Sequence, residues 1–220
     1  MAVSIKIENY EALKKQIQKM QKAPKKVIDS TLKEVKAKNR GQSWIAQGVA
    51  QRYNIKAKEI TGQKVGKVAV KGDTLKTLHI EYEGRLLTPT HFGMTPKKPG
   101  KGTYTLKYKV MNSGKEFKQP VQKMTKKQRA ALGKNFTRSG SRNSPQSPWM
   151  LQRASEGSGT FIPFQRRKQP GKMEFVQRAI SLPQMITEGK NGPMHPEVAQ
   201  SFNENLAKRF NHYVSKYLEK

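Results

Sequence analysis

The chain has no cysteine among its 220 residues. That excludes disulfides, thiolate metal sites and a cysteine nucleophile together. Acids are scarce too: 15 Asp and Glu stand against 44 Lys and Arg, a formal net charge of +29. Apolar residues make up 34% of the chain, below the usual globular share, so the core is modest for the length. No apolar run approaches the roughly 18 residues of a membrane-spanning helix. The opening MAVSIKIENYEALKK lacks the apolar region of a secretory signal, which points to a cytoplasm-like compartment or something assembled there.

Groups that do chemistry are equally thin. The only aspartates are Asp29 and Asp73, one on a helical pattern and one in a turn. Histidines at 79, 91, 195 and 212 show no i,i+4 metal spacing and no HExxH motif. Glu81 and Glu83 share a strand face beside His79, where a solvated surface explains them. His195, just before Pro196, reads as a residue that opens a helix. PGKG and EGSGT are glycine turns without the Lys-Ser/Thr of a phosphate-binding loop. No catalytic residue, metal ligand or cofactor site follows, and the expectation is a protein that is not an enzyme.

Periodicity supplies the fold. Tyr10, Leu13, Ile17 and Met20 are spaced as one face of a short helix. From Pro24 to Ile60 the sequence predicts one long amphipathic helix with a basic end. Its stripe is Ile28, Leu32, Val35, Asn39, Gln42, Ala46, Val49 and Tyr53. Asn39 and Gln42 make the middle polar, so water or a partner is expected there. Gly41 and Gly48 point to a bend or a close helix contact. The period then falls to two. Val68 and Val70, with Leu78, Ile80 and Tyr82, line one face of a hairpin turned at Gly72-Asp73. Arg85–Phe92 reads as extended, with Pro89 at an edge or strand end. TYTLKYKVM is a further alternating strand, and Met124–Phe136 reads as a short basic helix. Thr137–Pro148 reads as loop. Pro196 opens a final helix with a stripe of Val198, Phe202, Leu206, Phe210, Tyr213 and Tyr217.

The fold expected is α+β: a small antiparallel sheet flanked by N-terminal helices, one of them long, and a C-terminal helix, with long basic loops. One domain over 1–220 is expected, helical over 1–62 and β-rich over 63–120. A basic loop or insert covers 94–148, and strand and C-terminal helix cover 149–220.

Charge concentrates between Lys97 and Arg138, which hold thirteen Lys or Arg and the single acid Glu116. A solvated basic face and a surface for phosphate or acidic protein both fit. No zinc-finger spacing, RNP-type aromatic motif or heptad basic region is present. Tyr104, Tyr108, Phe117 and Phe136 read as core and edge residues rather than stacking platforms.

Four blocks, in order, resemble the phage and prophage minor tail protein Z family, the tail-completion proteins. They are VAQRYNIKAKEI (49–60) at the end of the long basic helix and GRLLTPTHF (84–92) after the strand pair. GTFIPFQRR (159–167) comes next, then ISLPQMI (180–186) followed by the NENLAKRFNHYVSKYL helix. YNIKAKEI and SLPQMI are the specific parts.

The resemblance implies a structural virion protein at the head-proximal end of a tail, assembled in a bacterial host's cytoplasm. It implies contact with the tail terminator, tube and connector or neck proteins, and a homo-oligomeric ring, with a hexamer as the expected symmetry. Contact with packaged DNA is a further expectation, membrane contact is not, and no cofactor is implied. Two rivals remain: a non-sequence-specific nucleic-acid-binding module, and a mobile-element toxin or nuclease, which needs a metal or general-base cluster. The residues expected to face a partner or DNA are Lys97, Lys98, Lys101, Lys107, Lys109, Lys126, Lys127, Arg129, Arg166 and Arg167. Neutralising Lys97, Lys98, Lys101, Lys126, Lys127 and Arg129 together is expected to weaken assembly and its salt sensitivity. Particle yield measured across a salt series checks this, and unchanged assembly contradicts it.

Overall fold

A computed structural model describes residues 2–4, 7, 10–19, 24–37, 40–100, 102–122, 150–154, 157–165, 175–176, 178–189 and 192–218. The fold is α+β, and its antiparallel strands are shared among three small sheets. The chain divides into two compact units: Met1–Arg85 with Ser181–Lys220, and the intervening Leu86–Ile180.

In the first unit the N-terminal helices are α1 (Tyr10–Lys19), α2 (Pro24–Ala37), α3 (Arg40–Arg52) and α4 (Ala57–Thr61). The stretch expected as one long helix therefore forms three. In a continuous helix, residues 35 and 41 would lie about 9 Å apart along the axis. A Cβ built on Gly41 lies 3.3 Å from the Val35 carbonyl oxygen and 2.9 Å from its Cγ1. The chain therefore turns a corner there, and glycine lets α3 start against the last turn of α2. The polar middle of the expected stripe does not meet water at Gln42. That side chain is buried, and its Nε2 donates to the Ile60 carbonyl at 3.4 Å. Asn39 lies outside the described residues.

Strands β1 (Ala2–Ser4), β2 (Lys67–Lys71) and β3 (His79–Glu83) pair antiparallel in the order β1-β3-β2. Val68 lies opposite Tyr82 and Val70 opposite Ile80. These four are buried, as the alternation requires. The opposite face sets Lys67 against Glu83, with ion pairs Lys67–Glu83 at 3.1 Å and Lys71–Glu81 at 2.7 Å.

Two helices from the C-terminal segment complete this unit: α5 (Leu182–Ile186) and α6 (Pro196–Leu218). Val198, Phe202, Leu206 and Phe210 are fully buried, and Trp44 of α3 meets Phe202 edge-to-face at 5.8 Å. Gly48 permits the close approach of α3 and α6. A Cβ there would lie 2.6 Å from Val198 Cα and 2.7 Å from the Glu197 carbonyl oxygen.

The second unit has a closed neck. Leu87 N–H donates to the Ile180 carbonyl at 3.1 Å, and Ala179 N–H donates to the Leu87 carbonyl at 2.7 Å. Residues 85–92 do not continue as a strand: Pro89–His91 form one 3-10 turn, which the fixed φ of Pro89 at its start favours. Strands β4 (Thr103–Tyr108) and β5 (Phe117–Gln122) make a two-stranded ribbon. The strands β6 (Met150–Arg153), β7 (Phe161–Gln165) and β8 (Phe175–Val176) make a second sheet in that order. Met94, Leu106, Tyr108 and Val121 form a small core against which Tyr104, Val110 and Leu151 pack. The expected basic helix over Met124–Phe136 and the loop over 137–148 lie outside the described residues.

Gly48→Ala is predicted to destabilise the first unit by about 1–3 kcal/mol, toward the upper figure because the obstacles are backbone atoms. Thermal unfolding checks this, and an unchanged midpoint contradicts the close contact.

Candidate functional site

Two places gather polar chemistry, one in each unit. The first lies where the ends of the chain meet. His195, 6% exposed, precedes α6, and its backbone carbonyl accepts from Val198 and Ala199 N–H. Its Nε2 lies 3.2 Å from the Tyr53 hydroxyl and 3.1 Å from the Gln184 carbonyl oxygen. A carbonyl only accepts, so the partners assign the proton to Nε2. Nδ1 faces the Glu188 carboxylate at 3.6 Å.

Gln184 is itself fixed by a capping box. Its N–H donates to Ser181 Oγ, and its side-chain oxygen accepts from Ser181 N–H at 3.0 Å. The SLPQ sequence is thus a helix-start device, with Pro183 in the first turn. Beside it, Arg52 Nη1 donates to both Glu197 oxygens at 3.1 Å. Glu197 is held below the usual carboxylate range by its own backbone N–H at the helix start, and then by Arg52.

A buried acid ties the helices. Glu34, 6% exposed, accepts from Arg40 Nε at 2.8 Å and from the Tyr213 hydroxyl at 2.9 Å, with Arg209 Nε at 3.6 Å. Sequence reasoning missed it. Its signal was an acid inside the α2 pattern, one residue before the apolar Val35.

The second place is the basic surface of the inserted unit. Residues 86–180 hold 20 Lys and Arg against 3 acids, a formal +17. Of the residues expected to face a partner, Lys97 and Lys98 are exposed ahead of β4. Lys107 is exposed on β4, and Lys109, just beyond it, is half-buried. Thr95 and Lys107 exchange backbone hydrogen bonds at 2.8 and 2.9 Å, which brings the Lys97 loop beside β4. Lys101, Lys126, Lys127, Arg129, Arg166 and Arg167 lie outside the described residues. The structure adds Lys118, directly opposite Lys107, and Phe117, which is 54% exposed. Phe117 was expected in core or edge. Its strand parity does point it toward Tyr108, yet no further side chain covers it to core level.

Among the described residues, no three His, Cys, Asp or Glu side chains converge as a metal site, and no helix is long and apolar enough to cross a membrane. Comparison with known family models, curated proteins and solved structures finds no match.

Burial, and then the Glu34 hydrogen bond, raise the Tyr213 hydroxyl above its ordinary value near 10, and burial alone raises Tyr108. A group raised on folding contributes stability that is intact below the unfolded value and lost as pH rises through the folded one. Stability is therefore predicted to fall above about pH 10. Tyr213→Phe is predicted to flatten part of that fall, read as the difference in denaturation midpoint between pH 9 and pH 11. Glu34→Gln at neutral pH is predicted to cost about 1–3 kcal/mol, limited because both arginines are partly solvated. A denaturation curve unchanged by this substitution contradicts the tie.

Proposed function

We propose that this protein is a structural component of a phage or phage-like tail, acting in tail completion at the head-proximal end. One observation carries the reading. The two specific parts of the resemblance, YNIKAKEI (53–60) and SLPQMI (181–186), meet at a single side chain. Tyr53 from the first and Gln184 from the second both contact His195, at the start of the helix that follows. Motifs far apart in the chain thus form one junction, as expected if they define a common scaffold. That scaffold is a frame of helices and a small sheet, and it carries a strongly basic insert.

In this reading the protein has no catalytic role. It assembles as a ring, with a hexamer as the expected symmetry, and touches the tail terminator, tube and connector proteins. The insert, with Lys97, Lys98, Lys107 and Lys109, supplies the contact with acidic subunits or packaged DNA. A phage or prophage carrying a disruption of this gene is predicted to yield full-length tails and filled heads that do not join. Negative-stain electron microscopy of lysates reads the outcome, and normally joined particles contradict the proposal.

A further inference from the structure

The β2–β3 hairpin and the β4–β5 ribbon solve the same problem in opposite ways. On the wet face of the first, each lysine meets an acid across the strands: Lys67–Glu83 and Lys71–Glu81. On the second, Lys107 lies directly opposite Lys118. Such residues have Cβ atoms about 5 Å apart, and like charges there are destabilising. Among the described residues no acid pairs with either lysine. Glu116 is the one described acid of the inserted unit, and it is exposed.

The ribbon's other face carries a second anomaly. Phe117 stacks on Tyr108 with ring centroids 5.1 Å apart and planes 11° from parallel. Tyr108 is 6% exposed and Phe117 54%. The stack thus begins in the core and ends at the surface, with solvent reaching the outer ring. Lys115 and Lys118 flank it in the chain, and both are exposed.

We infer that the end of the β4–β5 ribbon binds a single-stranded nucleic acid that bends around it, with Phe117 stacking a base on one face and Lys107 and Lys118 contacting backbone phosphates on the other. A phosphate near the two ammonium groups relieves their repulsion, and an unpaired base continues the aromatic stack. A duplex keeps its bases stacked internally and would leave Phe117 idle. An acidic polypeptide would satisfy the lysines and has no flat ring to offer. A second copy of the chain would bring more positive charge to the ribbon. The inference stands on the ribbon alone and does not require the tail assignment.

The test is fluorescence anisotropy with the full-length protein and a short labelled oligo(dT), with a matched duplex and poly-L-glutamate as competitors. Phe117→Leu keeps an apolar cover over Tyr108 and removes the ring, while Phe117→Tyr keeps the ring. The first is expected to weaken oligo(dT) binding about fivefold or more and leave the polyglutamate affinity unchanged. The second is expected to bind as the parent does. Lys107→Gln with Lys118→Gln is expected to make the slope of log K against log salt shallower by about 1.4, or about 0.7 for each phosphate that is no longer neutralised. In Phe117→Trp, oligo(dT) is expected to quench the new indole and polyglutamate to leave it unquenched. Equal oligo(dT) binding by Phe117→Leu and the parent, an unchanged salt slope, or tighter binding to duplex or polyglutamate than to oligo(dT) would each overturn the inference.

Discussion

Charge imbalance is the constraint on which the structure turns. With 44 cations and 15 acids, every carboxylate is a scarce resource, and its position decides which parts of the chain can close on themselves. Twelve of the fifteen acids lie in the unit built from the two chain ends. Five of them form ion pairs with Lys or Arg: Glu34 with Arg40 and Arg209, Glu197 with Arg52, Glu81 with Lys71, Glu83 with Lys67, Asp73 with Lys36. Exposed pairs of this kind contribute little individually. Glu34 differs because its buried carboxylate joins α2 to α3 and to α6, and a charge placed there without partners would be costly. The inserted unit has no comparable means of neutralising itself.

That division links fold to proposed function. The frame is closed by long-range contacts: Trp44 on Phe202, Ser201 Oγ donating to the Trp44 carbonyl at 2.8 Å, and Tyr53 with Gln184 on His195. The frame keeps a formal +12 (24 Lys and Arg against 12 acids) but holds its geometry through internal ion pairs and buried contacts, and in the proposed role the more basic insert meets an anionic surface. In the proposed role, shape would be required of one part and affinity of the other. The two ends of the insert are tied to each other by hydrogen bonds from Leu87 N–H to the Ile180 carbonyl and from Ala179 N–H to the Leu87 carbonyl.

Much of the frame was legible in the sequence. The Val68–Val70 and Leu78–Tyr82 alternation marked the hairpin, and the stripe from Val198 to Phe210 marked the last helix, because both elements bury one regular face. Gly41 and Gly48 marked the bend and the close contact, one each, though residue type alone did not say which was which. The corner at Gly41 was hidden because apolar spacing runs on across it: Val35 and Gln42 keep helical intervals while belonging to different helices. Pro89 looked like a strand end and starts a 3-10 turn, since a fixed φ suits either. The site was less legible. Glu34 and the His195 junction depend on partners 142 to 179 residues away, which no local pattern reports. Lys118 and the exposed Phe117 became visible only once the β4–β5 register set them opposite Lys107 and Tyr108.

The central claim is that the two chain ends alone make a self-sufficient frame, with the basic insert as a separable addition. It is tested most directly by replacing residues 86–180 with a short Gly-Ser linker. Arg85 and Ser181 suit such a bridge, because a Cβ on Gly84 would already lie 3.1 Å from the Leu182 Cβ. Circular dichroism of the shortened chain should show one cooperative thermal transition with helical signal and little dependence on salt. A gradual, non-cooperative melt would mean that the frame needs its insert, and would contradict the account.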